Sequence, residues 1–229
     1  MLMDKLDGHW AKRTILEPDT GNAYNKYFYK RKPADRVVVD TPKANVLAGY
    51  TLIEKDLRSA LIWMRHIKEL LSDDPNFTDP KGHIKATYDR DRFNIVKGLF
   101  VASLTFYGKS FATCEGRRVK LEKKNLDEEF HEEHDNAMEF RHNFAAHSGA
   151  KQLERASVVL AIDKKRRELP YFVRELIQPD TLSVHGLDDF IKLFEHARTF
   201  TENKIRTLAE KVYKEDVLAK GPEYWYAKT

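Results

Sequence analysis

Apolar residues recur every three or four positions along four long stretches of the chain, and this spacing predicts four amphipathic helices. The first begins after Thr41, the expected N-cap, with Pro42 at the first helical position. The other three span about residues 91–114, 125–148 and 186–214. The predicted apolar stripe of the first helix consists of Val46, Tyr50, Ile53, Leu57, Ala60, Met64, Ile67 and Leu71. That of the third consists of Phe130, Ala137, Phe140, Phe144 and His147.

Two segments lack the helical period. Residues 1–40 mix aromatic and basic side chains, as in "NAYNKYFYKRKPADR", and predict an extended arm with a short strand at "RVVVD". β-Branched residues on either side of a polar turn predict a β-hairpin at about residues 156–178. The predicted fold is therefore mainly α: an antiparallel four-helix bundle over residues 41–217, with the hairpin inserted between the third and fourth long helices. Residues 218–229 form a C-terminal tail.

Composition excludes several classes of protein. No apolar run approaches the roughly 18 residues that a membrane-spanning helix requires, so we expect no membrane partner. The first residues lack the apolar stretch of a secretory signal, which favours a cytoplasmic location. The single cysteine, Cys114, excludes an internal disulfide framework. A net charge of +4 permits binding to nucleic acid without requiring it.

Acidic residues and histidines cluster on the third predicted helix. Two Glu-x-x-His pairs, at residues 128–131 and 139–142, have the spacing of a carboxylate-bridged metal site. Such a site needs its pairs on facing helices, and here both pairs lie on the same helix. We therefore expect no metal and no cofactor, and interpret the run as a solvated acidic face. A metal site built from His131, His134 and Asp135 is the weaker alternative.

A short motif near the end of the third helix is the strongest functional signal. In "FRHNFAAHSG", Arg141 and a polar residue are followed by four residues and then by His147. This pattern resembles the Arg-polar-x4-His motif of the HEPN superfamily, whose members are helical bundles and include many metal-independent endoribonucleases. The resemblance covers roughly residues 44–149. It implies a dimeric ribonuclease that acts on RNA as a toxin or antiphage defence component, with an antitoxin as a further possible partner.

The resemblance also implies a role for each motif residue. Arg141 would hold the negative charge of the transition state, because arginine is always protonated and binds phosphate with two parallel hydrogen bonds. His147 would act as acid and base, since imidazole titrates near neutral pH. His142 and Asn143 would be supporting polar groups.

Helical geometry sets a condition on this assignment. Residues six apart point about 120° away from each other around a helix, so a straight helix cannot direct Arg141 and His147 at one phosphate. Either the helix unwinds at residues 146–149, or two subunits pair and line a shared cleft. The alternative is structural: His147 is a core histidine, and Arg141 pairs with Asp135, Glu139 or a loop. In that case the protein is a non-catalytic interaction or regulatory module.

Two basic stretches are candidates for contact with an RNA backbone. One lies before the third helix and the other, residues 164–167, lies in the turn of the predicted hairpin. The candidates of the first stretch are Arg117, Arg118, Lys120, Lys123 and Lys124. Charged connections also serve solubility alone, and this alternative stays open.

Overall fold

The structure is a computed structural model, and it divides the chain into two compact units. One unit comprises residues 46–207, and the other combines residues 1–45 with residues 208–229. The described parts of the chain are residues 4–74, 76–84, 88–142, 155–177 and 184–229.

The amino-terminal segment is a four-stranded antiparallel sheet in which each strand pairs with the next. Its strands are β1 (Asp4–Asp7), β2 (Trp10–Leu16), β3 (Ala23–Tyr29) and β4 (Lys32–Ala34). The predicted extended arm is therefore wrong, and no strand forms at "RVVVD". With this sheet and the hairpin, the chain is a mixed helix and sheet protein, so the predicted mainly-α four-helix bundle is also wrong.

The predicted start of the first helix is confirmed. Helix α1 (Pro42–Ser72) follows Thr41, whose Oγ1 accepts a hydrogen bond from the backbone N–H of Ala44. The same hydroxyl donates to the carboxylate of Asp216, which comes from the carboxyl-terminal part of the same unit. That part ends in a short helix, α5 (Gly221–Tyr226), where the sequence predicted only a tail.

The larger unit is built from helices that bury the predicted apolar stripes. Besides α1, it contains α2 (Arg90–Phe111), α3 (His131–Arg141) and most of α4 (Val184–Lys211). Six of the eight stripe positions of α1, from Ile53 to Leu71, are fully or almost fully buried. The predicted hairpin is confirmed as β5 (Arg155–Ala161) paired with β6 (Tyr171–Ile177). No helix in the described ranges is both long and apolar enough to cross a bilayer.

Helix α3 begins later than its sequence predicts. Two 3₁₀ turns, Lys123–Asn125 and Glu128–Phe130, precede it. The side chain of Asn125 accepts a hydrogen bond from the backbone N–H of Glu122 instead of capping α3. The predicted end of this helix, at residues 148–149, lies outside the described residues.

Candidate functional site

Arg141 lies in the last turn of α3, and its side chain packs against the backbone of α2 at Gly108. A Cβ atom added to Gly108 would lie 2.2 Å from Cδ and 2.8 Å from Nε of Arg141. Real side chains do not tolerate such distances, so only a glycine at position 108 leaves room for the arginine. Gly108 is buried in the last turn of α2, and a glycine within a helix costs up to about 1 kcal/mol relative to alanine. The fold therefore accepts a helix-weakening residue at the point where Arg141 crosses α2.

The guanidinium of Arg141 makes no ion pair or hydrogen bond with the residues that the structure describes. Of the two carboxylates predicted as its structural partners, Asp135 instead binds Lys123, with Nζ and Oδ2 2.6 Å apart. Glu139 forms no ion pair with Arg141 either. The C-terminal end of a helix carries partial negative charge, which favours a cation at this position. Within the described residues, the half-buried Arg141 therefore has no carboxylate that would compete with an anionic ligand.

His134 lies seven residues before Arg141, on the same face of α3, and points into the core. Its Nδ1 is 2.8 Å from the hydroxyl of Tyr107, the residue of α2 that precedes Gly108. The ring of Tyr107 stacks on Phe194 of α4, with centroids 4.4 Å apart. Burial lowers the pKa of His134 and raises that of Tyr107 far above its ordinary value, so both groups are neutral. The Tyr107–His134 hydrogen bond therefore holds α2 against α3 next to Gly108, where the side chain of Arg141 packs on α2.

Replacing Tyr107 with phenylalanine should destabilise the protein by about 1–3 kcal/mol, because it leaves a buried ring nitrogen of His134 without its hydrogen bond. The free energy of unfolding in urea measures this change. Phe111 is the matched control, since its ring also contacts His134, at 4.5 Å between centroids, but carries no polar group. Phe111→Leu, which keeps that position apolar, should cost less. Equal stability of Tyr107→Phe and wild type would contradict the assigned hydrogen bond.

The metal-binding alternative is not supported by the placement of its residues. His134 is buried against Tyr107, whereas Asp135 is exposed and paired with Lys123. The Nε2 of His131 is 3.2 Å from the carbonyl oxygen of Leu126. Within the described ranges, no three His, Cys, Asp or Glu side chains come together as metal ligands.

The other motif residues are only partly placed. His142 is exposed and has an interaction partner, and its backbone N–H bonds to the carbonyls of Met138 and Glu139, continuing the helix past Arg141. Asn143 and His147 lie outside the described residues. That Arg141 and His147 reach the same phosphate therefore stays a prediction.

Of the five predicted RNA-binding residues, Arg117 is buried, and this prediction is wrong for it. Its guanidinium donates to the carbonyls of Lys109 and Ala112, so it is not accessible to a phosphate. Lys123 and Lys124 are paired with Asp135 and Glu122. Within the described ranges, Arg118 and Lys120 form no ion pair, and both are exposed. The stretch therefore offers two uncommitted cations rather than five.

Comparison with known proteins adds no family. No family model, curated protein or solved structure matches this chain. The resemblance of the motif to the HEPN superfamily therefore stays a prediction from the sequence.

Sequence reasoning missed two residues of the site, Gly108 and Tyr107, as partners of α3. A glycine in the interior of a long amphipathic helix is itself a signal, since it weakens the helix unless close packing requires it. The spacing also held a signal for His134, which lies four residues after Phe130 and three before Ala137, and so shares their face.

Proposed function

We propose that this protein is a metal-independent endoribonuclease in which Arg141 binds the reacting phosphate and His147 transfers protons. The observation that carries this proposal is the guanidinium of Arg141, which packs against Gly108 at the end of α3 and forms no ion pair with any residue that the structure describes. An arginine kept in a fixed position without a carboxylate suits a group that meets its anion only when substrate binds. The spacing from Arg141 to His147 supplies the second half of the argument.

The proposed reaction is a transesterification within the RNA chain. His147 removes the proton from a ribose 2′-hydroxyl, and the 2′-oxygen attacks the adjacent phosphorus. The extra negative charge on the phosphorane is stabilised by two hydrogen bonds from Arg141. The bond from phosphorus to the 5′-oxygen then breaks, and that oxygen takes up a proton. The products are a 2′,3′-cyclic phosphate and a 5′-hydroxyl.

The test is cleavage of a labelled single-stranded RNA by the purified protein in excess chelator. The proposal expects fragments ending in a cyclic phosphate, and the same RNA with 2′-O-methyl groups should stay intact because the nucleophile is blocked. His147→Ala should abolish cleavage, whereas His66→Ala, which changes an exposed histidine of α1, should not. Cleavage that survives in His147→Ala, or that acts equally on the 2′-O-methyl RNA, would overturn the proposal.

Self-association is part of the proposal, and the hairpin offers a surface for it. One face of the β5–β6 hairpin carries Val158, Leu160, Phe172 and Leu176, each more than half exposed, together with the charged Arg174, which pairs with Val158. A two-stranded hairpin is marginally stable alone, and exposed apolar side chains grouped on one face mark interaction sites. A second copy of the chain presents the same apolar face, so two hairpins can cover each other across a two-fold axis.

Leu160→Lys should shift the protein towards the monomer, because a two-fold contact places the charge in the interface twice. With about 1.5–3 kcal/mol for each buried leucine, the dimer should weaken tenfold or more. Sedimentation over a concentration series measures the change. Leu169→Lys is the control, since Leu169 is 90% exposed and lies between the strands, outside this face. A dimer equally tight in Leu160→Lys would exclude the hairpin as the contact.

The cellular role that fits this activity is a cytoplasmic toxin or antiphage defence component, with an antitoxin as its inhibitor. The second candidate is a non-catalytic interaction or regulatory module, and the exposed apolar face of the hairpin favours it. A chain that dimerises through the hairpin and leaves RNA intact under all conditions above would support this second candidate. Expression of wild type and His147→Ala in cells separates the two, since only a ribonuclease gives growth arrest that the variant lacks.

A further inference from the structure

The amino-terminal sheet exposes aromatic rings on one face. Trp10 pairs with Tyr29 across β2 and β3, and Lys12 pairs with Tyr27 two positions along, so these four side chains share a face. The rings of Trp10 and Tyr29 have centroids 5.0 Å apart. Trp10 is 45% exposed and Tyr29 is 43% exposed. The two half-exposed rings are tilted by 47° to each other, and together they form a platform on which each ring can stack a separate flat group.

The sheet that carries this platform has an excess of positive charge. Residues 4–34 contain seven lysines and arginines against four carboxylates. None of the seven cations forms an ion pair with a residue that the structure describes. Two of the four carboxylates, Glu17 and Asp19, lie in the loop between β2 and β3, at the end of these strands away from Trp10 and Tyr29, whereas Asp4 and Asp7 of β1 pair with Lys12 and Trp10. At the aromatic end of the sheet, Lys30 and Arg31 therefore form no ion pair within the described residues, although Asp7 lies opposite Trp10.

The turn between β3 and β4 places Lys30 and Arg31 beside the platform, and both residues adopt a strained backbone conformation. Lys30 and Arg31 both have positive φ, 45° and 68°, as in the two central residues of a type I′ turn. Asn-Gly is the preferred pair there, because side chains with a Cβ are strained by about 1 kcal/mol or more in this region. The ammonium of Lys30 lies 5.5 Å from the centre of the Tyr29 ring. Strained residues kept at a ligand-accessible position are typical of binding sites.

A concave surface connects this turn to the β1–β2 turn. It has a volume of about 630 Å³ and is lined by the two turns, with the side chains of Lys5, His9, Trp10, Lys30 and Arg31. The backbone N–H of Lys30 donates to the carbonyl of His9 at 2.9 Å, which joins the two turns. The surface thus combines stacking rings with three flexible cations in a space large enough for a nucleotide.

We infer that this surface binds single-stranded RNA, with unpaired bases stacked on Trp10 and Tyr29 and the flanking phosphates held by Lys5, Lys30 and Arg31. Stacking on aromatic side chains and ion pairs with phosphates are the two interactions by which proteins bind single strands. The choice of RNA over DNA rests on the proposed ribonuclease function. The surface itself is argued from the sheet alone.

The test is fluorescence anisotropy of the full-length protein with a labelled 2′-O-methyl RNA, which the proposed reaction cannot consume. Lys30→Asn combined with Arg31→Gly installs the preferred turn and removes both cations. We expect this variant to unfold at the same or a higher temperature than wild type, because the strain is relieved. Its RNA affinity should fall about tenfold at low salt. The slope of log affinity against log salt should decrease by about 1.4, for two lost phosphate contacts.

Trp10→Ala should weaken binding by about 5- to 100-fold through the loss of one stacked base. Tyr88→Ala is the matched control, since Tyr88 is 57% exposed and lies outside the sheet. Duplex RNA of the same sequence should bind weakly, because its bases are already stacked. Tighter binding to anionic lipid vesicles than to RNA would overturn the inference in favour of a membrane surface.

The outcome separates this inference from the ribonuclease proposal. If wild type cleaves RNA but the turn variant and Trp10→Ala bind it as tightly as wild type, the sheet is excluded and the ribonuclease stands. If both variants lose affinity for an RNA that wild type never cleaves, the binding surface stands and the ribonuclease is excluded. Single-stranded DNA bound as tightly as RNA would support the surface and remove its preference for RNA.

Discussion

Gly108→Ala should lower the rate of RNA cleavage about 10²- to 10³-fold while the protein stays folded. The new methyl group would lie only 2.2 Å from Cδ of Arg141, so the arginine cannot keep its present conformation. The backbone of α2 cannot move away easily, because the neighbouring Tyr107 is fixed by Phe194 and His134. The side chain of Arg141 must therefore rotate away from position 108, and the phosphate loses the two hydrogen bonds from the guanidinium. Removing one such positioned donor from an active site typically costs this factor in rate.

The matched control is Gly98→Ala, in the same helix. A Cβ at Gly98 meets nothing within 4 Å, so this variant should keep full activity and gain about 1 kcal/mol in stability from the better helix former. Arg141→Ala should lose as much activity as Gly108→Ala. The double variant should be no worse than Arg141→Ala alone, because both changes remove the same interaction. Full activity in Gly108→Ala would show that the position of Arg141 does not matter for cleavage.

The helices could be predicted from the sequence because burial follows a regular period. Positions from Ile53 to Leu71 are buried as their spacing predicts, and Thr41 caps α1 as its residue type predicts. The amino-terminal sheet could not be predicted with the same ease. Its strands are short and only half buried, and the β3–β4 turn uses Lys30 and Arg31 in place of the usual Asn-Gly pair. The turn that closes the sheet therefore carries no hairpin signal.

The motif that contains Arg141 could be recognised in the sequence, but the packing of its side chain against α2 could not be predicted. The sequence singled out Arg141, yet the space for its side chain is left by Gly108, a glycine 33 positions earlier. Sequence spacing does not relate residues on different helices. Adjacent arginines were equally ambiguous. Arg117 is buried and Arg118 is exposed, and nothing in "GRRVK" indicates which of the two points inward. Tertiary packing decided both questions.

Arg117 is held inside by a buried carboxylate, Asp56 of α1. The Oδ2 of Asp56 lies 3.6 Å from Nη1 of Arg117 and 3.2 Å from Nζ of Lys109, and Oδ1 lies 2.9 Å from Nζ of Lys55. Within the described residues, Nε and Nη1 of Arg117 have no hydrogen-bond partner. The charge of the buried guanidinium is therefore balanced by Asp56, which connects α1, α2 and the segment that follows α2.

Asp56→Ala should destabilise the protein by about 3–5 kcal/mol, the largest effect on stability that we expect from a single substitution. Removing one partner of a buried ion pair leaves the other charge desolvated and uncompensated, here that of Arg117. Urea unfolding measures the change. Asp188→Ala is the control, because Asp188 forms a half-exposed ion pair with Lys68 at 2.7 Å and should cost less than about 1 kcal/mol.

The double variant Asp56→Leu with Arg117→Met distinguishes charge balance from simple loss of contacts. If the cost of Asp56→Ala arises from the uncompensated guanidinium, replacing both partners by apolar side chains of similar size should recover most of the stability. If the cost arises from lost packing between α1 and α2, the double variant should be at least as unstable as the single one. A loss below about 1 kcal/mol in Asp56→Ala would mean that water and the carbonyl oxygens of Lys109 and Ala112 already compensate the charge of the guanidinium.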